Sequence, residues 1–564
     1  MFDLVVRNGL VIDGTGSAAR SADVAIADGI IVAIGEITES GLTEIDATGC
    51  VVTPGFIDGH THMDAQVFWD ADGTNSCWHG VTTVVMGNCG FTIAPVRPDA
   101  HELAVRSIER SEDISAAAMA AGLQWDWTTF ASYLDAVDRA PKAINYAANI
   151  GHSALRSWAM GERAFHDAAT PEDLECMKAE LAEALQSGAW GFTTSRTVHH
   201  MTPNGDPVAS RLAEWSEVEE LVHVLGQNRA GIFQFVEDPP SEHDRASRDE
   251  ELVALAVSTE VPFIIGATSG SPRSLELIAE TRKRGGVMTG MTHPRGIGTM
   301  SSFKSQLPFD TLPEWAAARA DGDDVFFERL RDPESRRTLV EAAQRATYQD
   351  TYGGEARPPA FDRLQILDSP VPPYRTVADV AAERGVDPVE AMIQIGSESD
   401  FNVFFVQTMA PFDQEAVVHA MKSTGTVMTF SDSGAHVSQM SDASIFTYLL
   451  AYWVRDRGVF TLEEAIKMMT SAPAEAWGFH DRGVLREGLV ADLLVFDPEV
   501  VAPELPTLAH DLPAGARRIV QRSRGFLATV VAGVVTIRDG QRTGAMPGRL
   551  LRSKSRSSSK EVVQ

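Results

Sequence analysis

Two histidines separated by a single residue carry the sharpest chemical signal in the chain. They are His60 and His62 in Gly55-Phe56-Ile57-Asp58-Gly59-His60-Thr61-His62-Met63-Asp64, which follows the apolar pair Val51-Val52. Residues two apart on a strand project from the same face. Imidazoles leaving one strand end would therefore aim at one point, as a divalent metal such as zinc needs of its first two protein ligands. A bare His-x-His also occurs in polar turns; the preceding strand, the flanking glycines and Asp64 favour metal here. Arg196, in Gly191-Phe192-Thr193-Thr194-Ser195-Arg196-Thr197-Val198-His199-His200-Met201, could clamp a substrate carboxylate bidentately or be an internally paired charge. Gly266 and Gly270 lack the Lys-Ser/Thr that completes a phosphate-binding loop.

Positioning these residues requires strands that end at one face. Short β-rich runs (Leu4–Val6, Leu10–Ile12, Val24–Ile26, Ile30–Ile34) open the chain, separated by Asn-Gly and Asp-Gly turn signals. A matching set, Leu493–Phe496 and Val530–Ile537, closes it. Between them apolar runs at 82–86, 143–150, 191–194, 231–236, 262–265, 287–290, 403–407 and 426–430 alternate with helical stretches such as 171–187 and 216–226. Such alternation predicts βαβ units and a parallel sheet, and about eight of them suit an α/β fold of the (β/α)8 type. The expected organisation is a small β-sandwich domain from 1–53 plus 481–545, a barrel over 54–480 with an insertion at 310–362, and a flexible basic tail at 546–564.

The balance of 48 Lys+Arg against 78 Asp+Glu, net −30, argues against nucleic-acid binding and against anionic membranes. With 44% hydrophobic and 22% charged residues, the composition is ordinary for a soluble globular protein and argues against wholesale disorder; a small-molecule substrate is the expected partner. Four cysteines in 564 residues make no disulfide framework. The N-terminus lacks a secretory pattern, and the longest apolar span, Ile445 to Val454, is half of what a membrane helix needs. The expected compartment is the cytoplasm; homo-oligomerisation stays open.

The run PGFIDGHTHMD resembles the metal-dependent amidohydrolase superfamily, and His79-Gly80-Val81-Thr82-Thr83-Val84-Val85-Met86-Gly87-Asn88-Cys89-Gly90-Phe91 resembles its N-acyl-D-amino-acid deacylase (D-aminoacylase) branch. That resemblance implies one or two divalent ions, zinc the expected metal, and Cys89 as a ligand in place of the carboxylated Lys of relatives. Thr426–Phe430 runs into Ser431-Asp432-Ser433-Gly434-Ala435-His436. The resemblance makes Asp432 a metal ligand and the general base, later the acid for the leaving amine. It also places His152, in Asn149-Ile150-Gly151-His152, at a strand end facing the pocket, where it is either a substrate-binding residue or a hydrogen-bonded structural histidine; His436 is a further substrate-binding candidate.

The pattern breaks at two positions. The family supplies two more metal-binding histidines after the fifth and sixth strands, but the matching stretches, 231–238 and 263–270, hold Gln234, Glu237 and Thr268 and no His. Three outcomes follow: one ion on His60, His62 and Asp432 with Cys89 in or near the shell; histidines recruited from His199-His200 or His293; or loss of metal and hydrolysis. The first is favoured, because one open metal with three ligands suffices for hydrolysis. The expected activity is cleavage of an amide C–N bond in an N-acyl-D-amino acid or similar compound. The alternatives are another C–N hydrolase acting on a cyclic amide or imide, and a non-catalytic small-molecule-binding protein.

Overall fold

Six consecutive buried residues at Val81–Met86 mark a strand covered on both faces, as parallel sheets require. The computed structural model describes residues 1–238, 240–268, 271–348, 351–352, 355–409, 413–440 and 442–554. Strands β1 (Phe56–Asp58), β2 (Val81–Met86) and β3 (Asn145–Ala148) form one parallel sheet. Beyond Asn149, Ile150–Gly151 starts a second one with β4 (Gly191–Ser195), β5 (Ile232–Val236), β6 (Phe263–Gly266), β7 (Met288–Thr292) and β8 (Thr426–Met428), also parallel throughout.

Hydrogen bonds join the two sheets at both borders. Trp190 N–H donates to Ala148 O at 2.7 Å, Asp432 N–H to His60 O at 3.1 Å and His62 N–H to Ser433 O at 2.8 Å, beside a parallel bridge between Thr61 and Ser433. Helices fill the connections as expected. Pro171–Gln186 begins with a Thr170/Asp173 capping box, and Trp215–Asn228 follows β4.

The strand expected near 403–407 does not join this series. Phe405–Thr408 pairs antiparallel with Gly298–Ser301 and Leu364–Ile366. Phe303, Trp315, Phe326, Val377, Met392 and Phe405 belong to a separate apolar cluster, so the inserted unit is larger than 310–362. An apolar run reports a buried strand but not which partner buries it.

Strands from both chain ends build one nine-stranded sheet, with Val51–Pro54 between Phe2–Val11 and Leu493–Phe496. The two runs expected at 4–6 and 10–12 are one strand, Phe2–Val11, with a bulge where Asn8 takes φ 59°. The sheet returns on itself: Ile30 bridges Val490, and Ala491 N–H donates to Gly29 O at 2.9 Å. Leu4, Val24 and Ile31 thereby share a core with Leu493, Val495 and Val530.

Part of the expected flexible tail is docked. Gly548 N–H donates to Lys142 O, Leu551 N–H to Tyr146 O and Ser553 N–H to Gly188 O at 2.7–2.9 Å, and Leu550 is buried. This segment satisfies backbone groups of β3 that would otherwise lack partners. The rest of the tail, 555–564, lies outside the described residues. Ile445 to Val454 lies in buried helical turns, and no helix among the described residues is long and apolar enough to cross a membrane.

His79 lies behind the strands, its ring nitrogens 2.8 Å from Thr447 Oγ1 and 3.1 Å from Gln521 O. Burial lowers its pKa to about 3 from 6.5. A folded-state pKa below the unfolded one means its stabilising contribution is complete above about pH 6.5 and is lost as pH falls toward 3. Between pH 6.5 and 5, the unfolding free energy of wild type should fall faster than that of His79→Gln by up to about 1.4 kcal/mol per pH unit. Equal slopes in urea titrations would exclude this assignment.

Candidate metal centre

The ends of β1, β2 and β8 bring four of the expected residues together. His60 follows β1 by two residues, Cys89 follows β2 by three and Asp432 follows β8 by four. Asp432 Oδ1 lies 3.1 Å from His60 Nε2 and 3.5 Å from His62 Nε2, and Cys89 Sγ lies 3.5 Å from His60 Nε2. One ligand atom each from His60, His62 and Cys89 falls within a 4.8 Å group. Donors about 2.1–2.3 Å from a common zinc ion at tetrahedral angles lie roughly 3.4–3.6 Å apart. The donor set and its spacing therefore fit a zinc-sized ion.

The backbone is held unusually to achieve this. Cys89, Asp432 and His436 all have positive φ, 54°, 52° and 47°, a conformation costly for residues other than glycine and concentrated at functional sites. Gly434 has φ +96°, and a Cβ there would lie 2.7 Å from the His62 carbonyl; only glycine lets this turn pass behind His62.

Charge is distributed in a consistent way. Burial opposes ionisation of Asp432, yet its contacts with His60 and His62 hold the carboxyl well below the usual range. Burial also lowers His62, but Glu112, Asp432 and Cys89 outweigh it and hold the imidazole well above its ordinary value. Burial pushes the Cys89 thiol up to about 12, so a cation at the sulfur is what would make it a thiolate near neutral pH.

Gln234, standing where a strand-5 imidazole is expected, accepts the Cys89 N–H on Oε1 at 3.0 Å. Glu237 is committed elsewhere, to Arg248 at 2.8 Å and Arg273 at 2.9 Å. Of the recruitable histidines, His200 packs against Phe91 and is lowered to about 3 by burial and by His62 and His436 nearby. Its Nδ1 is 2.6 Å from Ser195 Oγ. His199 is exposed, and His293 is separated from His60 by the Phe430 ring, which packs against both.

Two residues considered for substrate contact have partners of their own away from the cluster. Both ring nitrogens of His152 are used, 2.8 Å from Thr194 Oγ1 and 2.8 Å from Glu217 Oε1, and Glu217 also holds the buried Arg156. His152 is a structural residue of this network, with no ring nitrogen left for a ligand. Arg196 donates to Ala213 O at 2.6 Å, and its charged neighbours are Arg248, Glu237, Glu214 and Glu217 rather than the His60 cluster. Glu217→Gln should leave kcat within about twofold while costing roughly 3–5 kcal/mol of stability, because Arg156 would keep a buried, uncompensated charge. Chemical unfolding of the two proteins measures this, and a loss under about 1 kcal/mol would contradict the network's role.

His436 Nε2 lies 3.7 Å from Glu112 Oε2. The residue that sequence reasoning missed is Glu112, buried beside both His62 and His436 at 3.7 Å. It lies after a short helix, His101–Ile108, with no motif around it, and only the fold reveals it.

Comparison with known proteins agrees with this geometry. The model described as "Amidohydrolase family" matches residues 43–542. D-aminoacylase of Alcaligenes xylosoxydans xylosoxydans is 29% identical over 98% of this chain and 97% of its own. A D-aminoacylase structure, titled for one-metal activation and second-metal attenuation of a binuclear centre, superimposes with TM-score 0.65 at 25% identity over 98% of this chain and all of that one. N-acyl-D-glutamate deacylase from Bordetella bronchiseptica, solved with zinc and a phosphonate mimic of the tetrahedral intermediate, gives 0.64 at 26% identity over 98% and 99%.

Proposed function

This chain belongs to the amidohydrolase family, and from that premise we propose that it hydrolyses the amide bond of N-acyl-D-amino acids using a divalent ion, zinc the first choice. The observation that carries the reading is the convergence of one ligand atom each from His60, His62 and Cys89 within a 4.8 Å group, with Asp432 Oδ1 3.1 and 3.5 Å from the two imidazoles. Relatives named for N-acyl-D-amino-acid deacylation, at about 30% identity over nearly the whole chain, support the substrate class.

These four side chains would hold the ion, which when bound supplies Lewis acidity and an acidified water. Asp432, ionised and 16% exposed, is the group that takes the proton from the attacking water and returns it to the departing nitrogen. Its oxygen faces both histidines, so its position is fixed before substrate arrives. Phe430 covers His60 with ring centroids 4.4 Å apart and keeps bulk water from that side.

The same reading includes a closed (β/α)8 barrel over 54–480, supported by the hydrogen bonds from Asp432 and His62 that link the ends of β1 and β8. The sheet drawn from 1–53 and 481–545 is then the second domain. Purified protein should release free amine from N-acetyl-D-amino acids and leave the L-enantiomers largely intact. Turnover of cyclic amides alone would replace the substrate class while retaining the site.

A further inference from the structure

The carboxylate of Glu112 has no counterpart in the motif-bearing segments, yet it enters the cluster between two histidines. Its Oε2 is 3.7 Å from His62 Nε2 and 3.7 Å from His436 Nε2. Both separations exceed the roughly 2.7–3.2 Å of a nitrogen–oxygen hydrogen bond. Ligand atoms about 2.1 Å from one ion, at inter-ligand angles of about 90–120°, are separated by roughly 3.0–3.6 Å. At 3.7 Å the His62–Glu112 spacing is too long for a direct hydrogen bond and lies about 0.1 Å beyond the co-ligand range, so a small inward shift of the carboxylate would join it to the group formed by His60, His62 and Cys89.

Two further atoms point the same way. Glu112 Oε1 and His436 Nδ1 are buried without a hydrogen-bond partner among the described residues. A buried carboxylate oxygen left so is costly unless a cation compensates it. The main chain holds the residue there independently of its side chain: Glu112 N–H donates to Ile108 O at 2.8 Å, and Glu112 O accepts the His436 N–H at 2.5 Å. Across the cluster, Gln234 offers an amide in place of an imidazole and spends its oxygen on the Cys89 backbone.

We propose that Glu112 is a metal ligand of this chain, joining His62 on the ion and supplying the anionic donor that the strand-5 and strand-6 positions lack, with His436 orienting its carboxylate. The inference rests on the metal-dependent reading above. A carboxylate donor beside His62 makes the centre more anionic than one built on neutral imidazoles, which favours retention of a divalent cation.

The test is metal affinity, measured by competition with a chromophoric chelator, together with the absorption spectrum of the cobalt-loaded protein. Glu112→Gln keeps shape and removes charge; it should weaken zinc affinity by more than about tenfold and alter the cobalt d–d bands. Glu112→Asp, which retains charge but shortens the reach, should fall between Gln and wild type and guards against misfolding of the first variant. His436→Gln should weaken affinity less than Glu112→Gln does. Glu109→Gln, three residues away, should match wild type. Wild-type zinc affinity and an unchanged cobalt spectrum in both Glu112 variants would overturn the proposal and leave the His60, His62, Cys89 and Asp432 site standing. A wild-type protein that takes up neither ion would overturn both.

Discussion

Asp432→Asn should lower kcat by about 10²–10⁴-fold, the range that a positioned general base contributes, with little change in folding. The substitution keeps an oxygen near His60 and His62, which Asp432 approaches at 3.1 and 3.5 Å, but removes the site that accepts a proton. With zinc in excess the ion should still be bound, because His60, His62 and Cys89 remain, although the loss of one anionic ligand lowers its affinity. The check is steady-state kinetics on an N-acyl-D-amino acid beside elemental analysis of the same preparation. Activity within about tenfold of wild type would refute the general-base role, and parallel loss of zinc and activity would recast Asp432 as chiefly a ligand.

His62→Ala should have the second large effect, acting through the ion. Loss of an outer-shell partner already weakens metal binding about 10–100-fold, so removing a ligand should exceed that and leave purified protein with well under one ion per chain. Loss of the ion would also leave the buried Glu112 carboxylate, 3.7 Å from His62 in the wild type, without a compensating cation, so some loss of thermal stability should accompany the loss of activity. Chelation of wild type and re-addition of zinc should reproduce and then reverse the activity loss. Full activity in the zinc-free variant would exclude a metal-dependent mechanism.

The contrast between His62 and His152 shows where sequence reasoning is sound and where it stops. His60 and His62 were readable because a two-residue repeat on a strand is a local geometric rule, and the structure places both rings at one point. Asp432 was readable through resemblance to the family, with the apolar run before it giving only the strand. His152 also stands at a strand end, yet Thr194 and Glu217, 42 and 65 residues further along, occupy both its nitrogens. A pairing across such distances leaves no periodic trace. The contact of Arg196 with Ala213 O at 2.6 Å was likewise not legible in its loop.

The sequence by itself determined the alternation of apolar strands and helices and the metal-type histidine pair, because each depends on spacing within about ten residues; Cys89 and Asp432 were singled out by resemblance to the family's motifs. Only the tertiary structure decided that Phe405–Thr408 pairs within the inserted unit, that residues 548–553 dock near β3, and that Glu112 meets His62 and His436. Those outcomes depend on which buried surfaces and unpaired backbone or charged groups find each other across hundreds of residues. That choice is made by packing and desolvation over the whole fold, which no local pattern encodes.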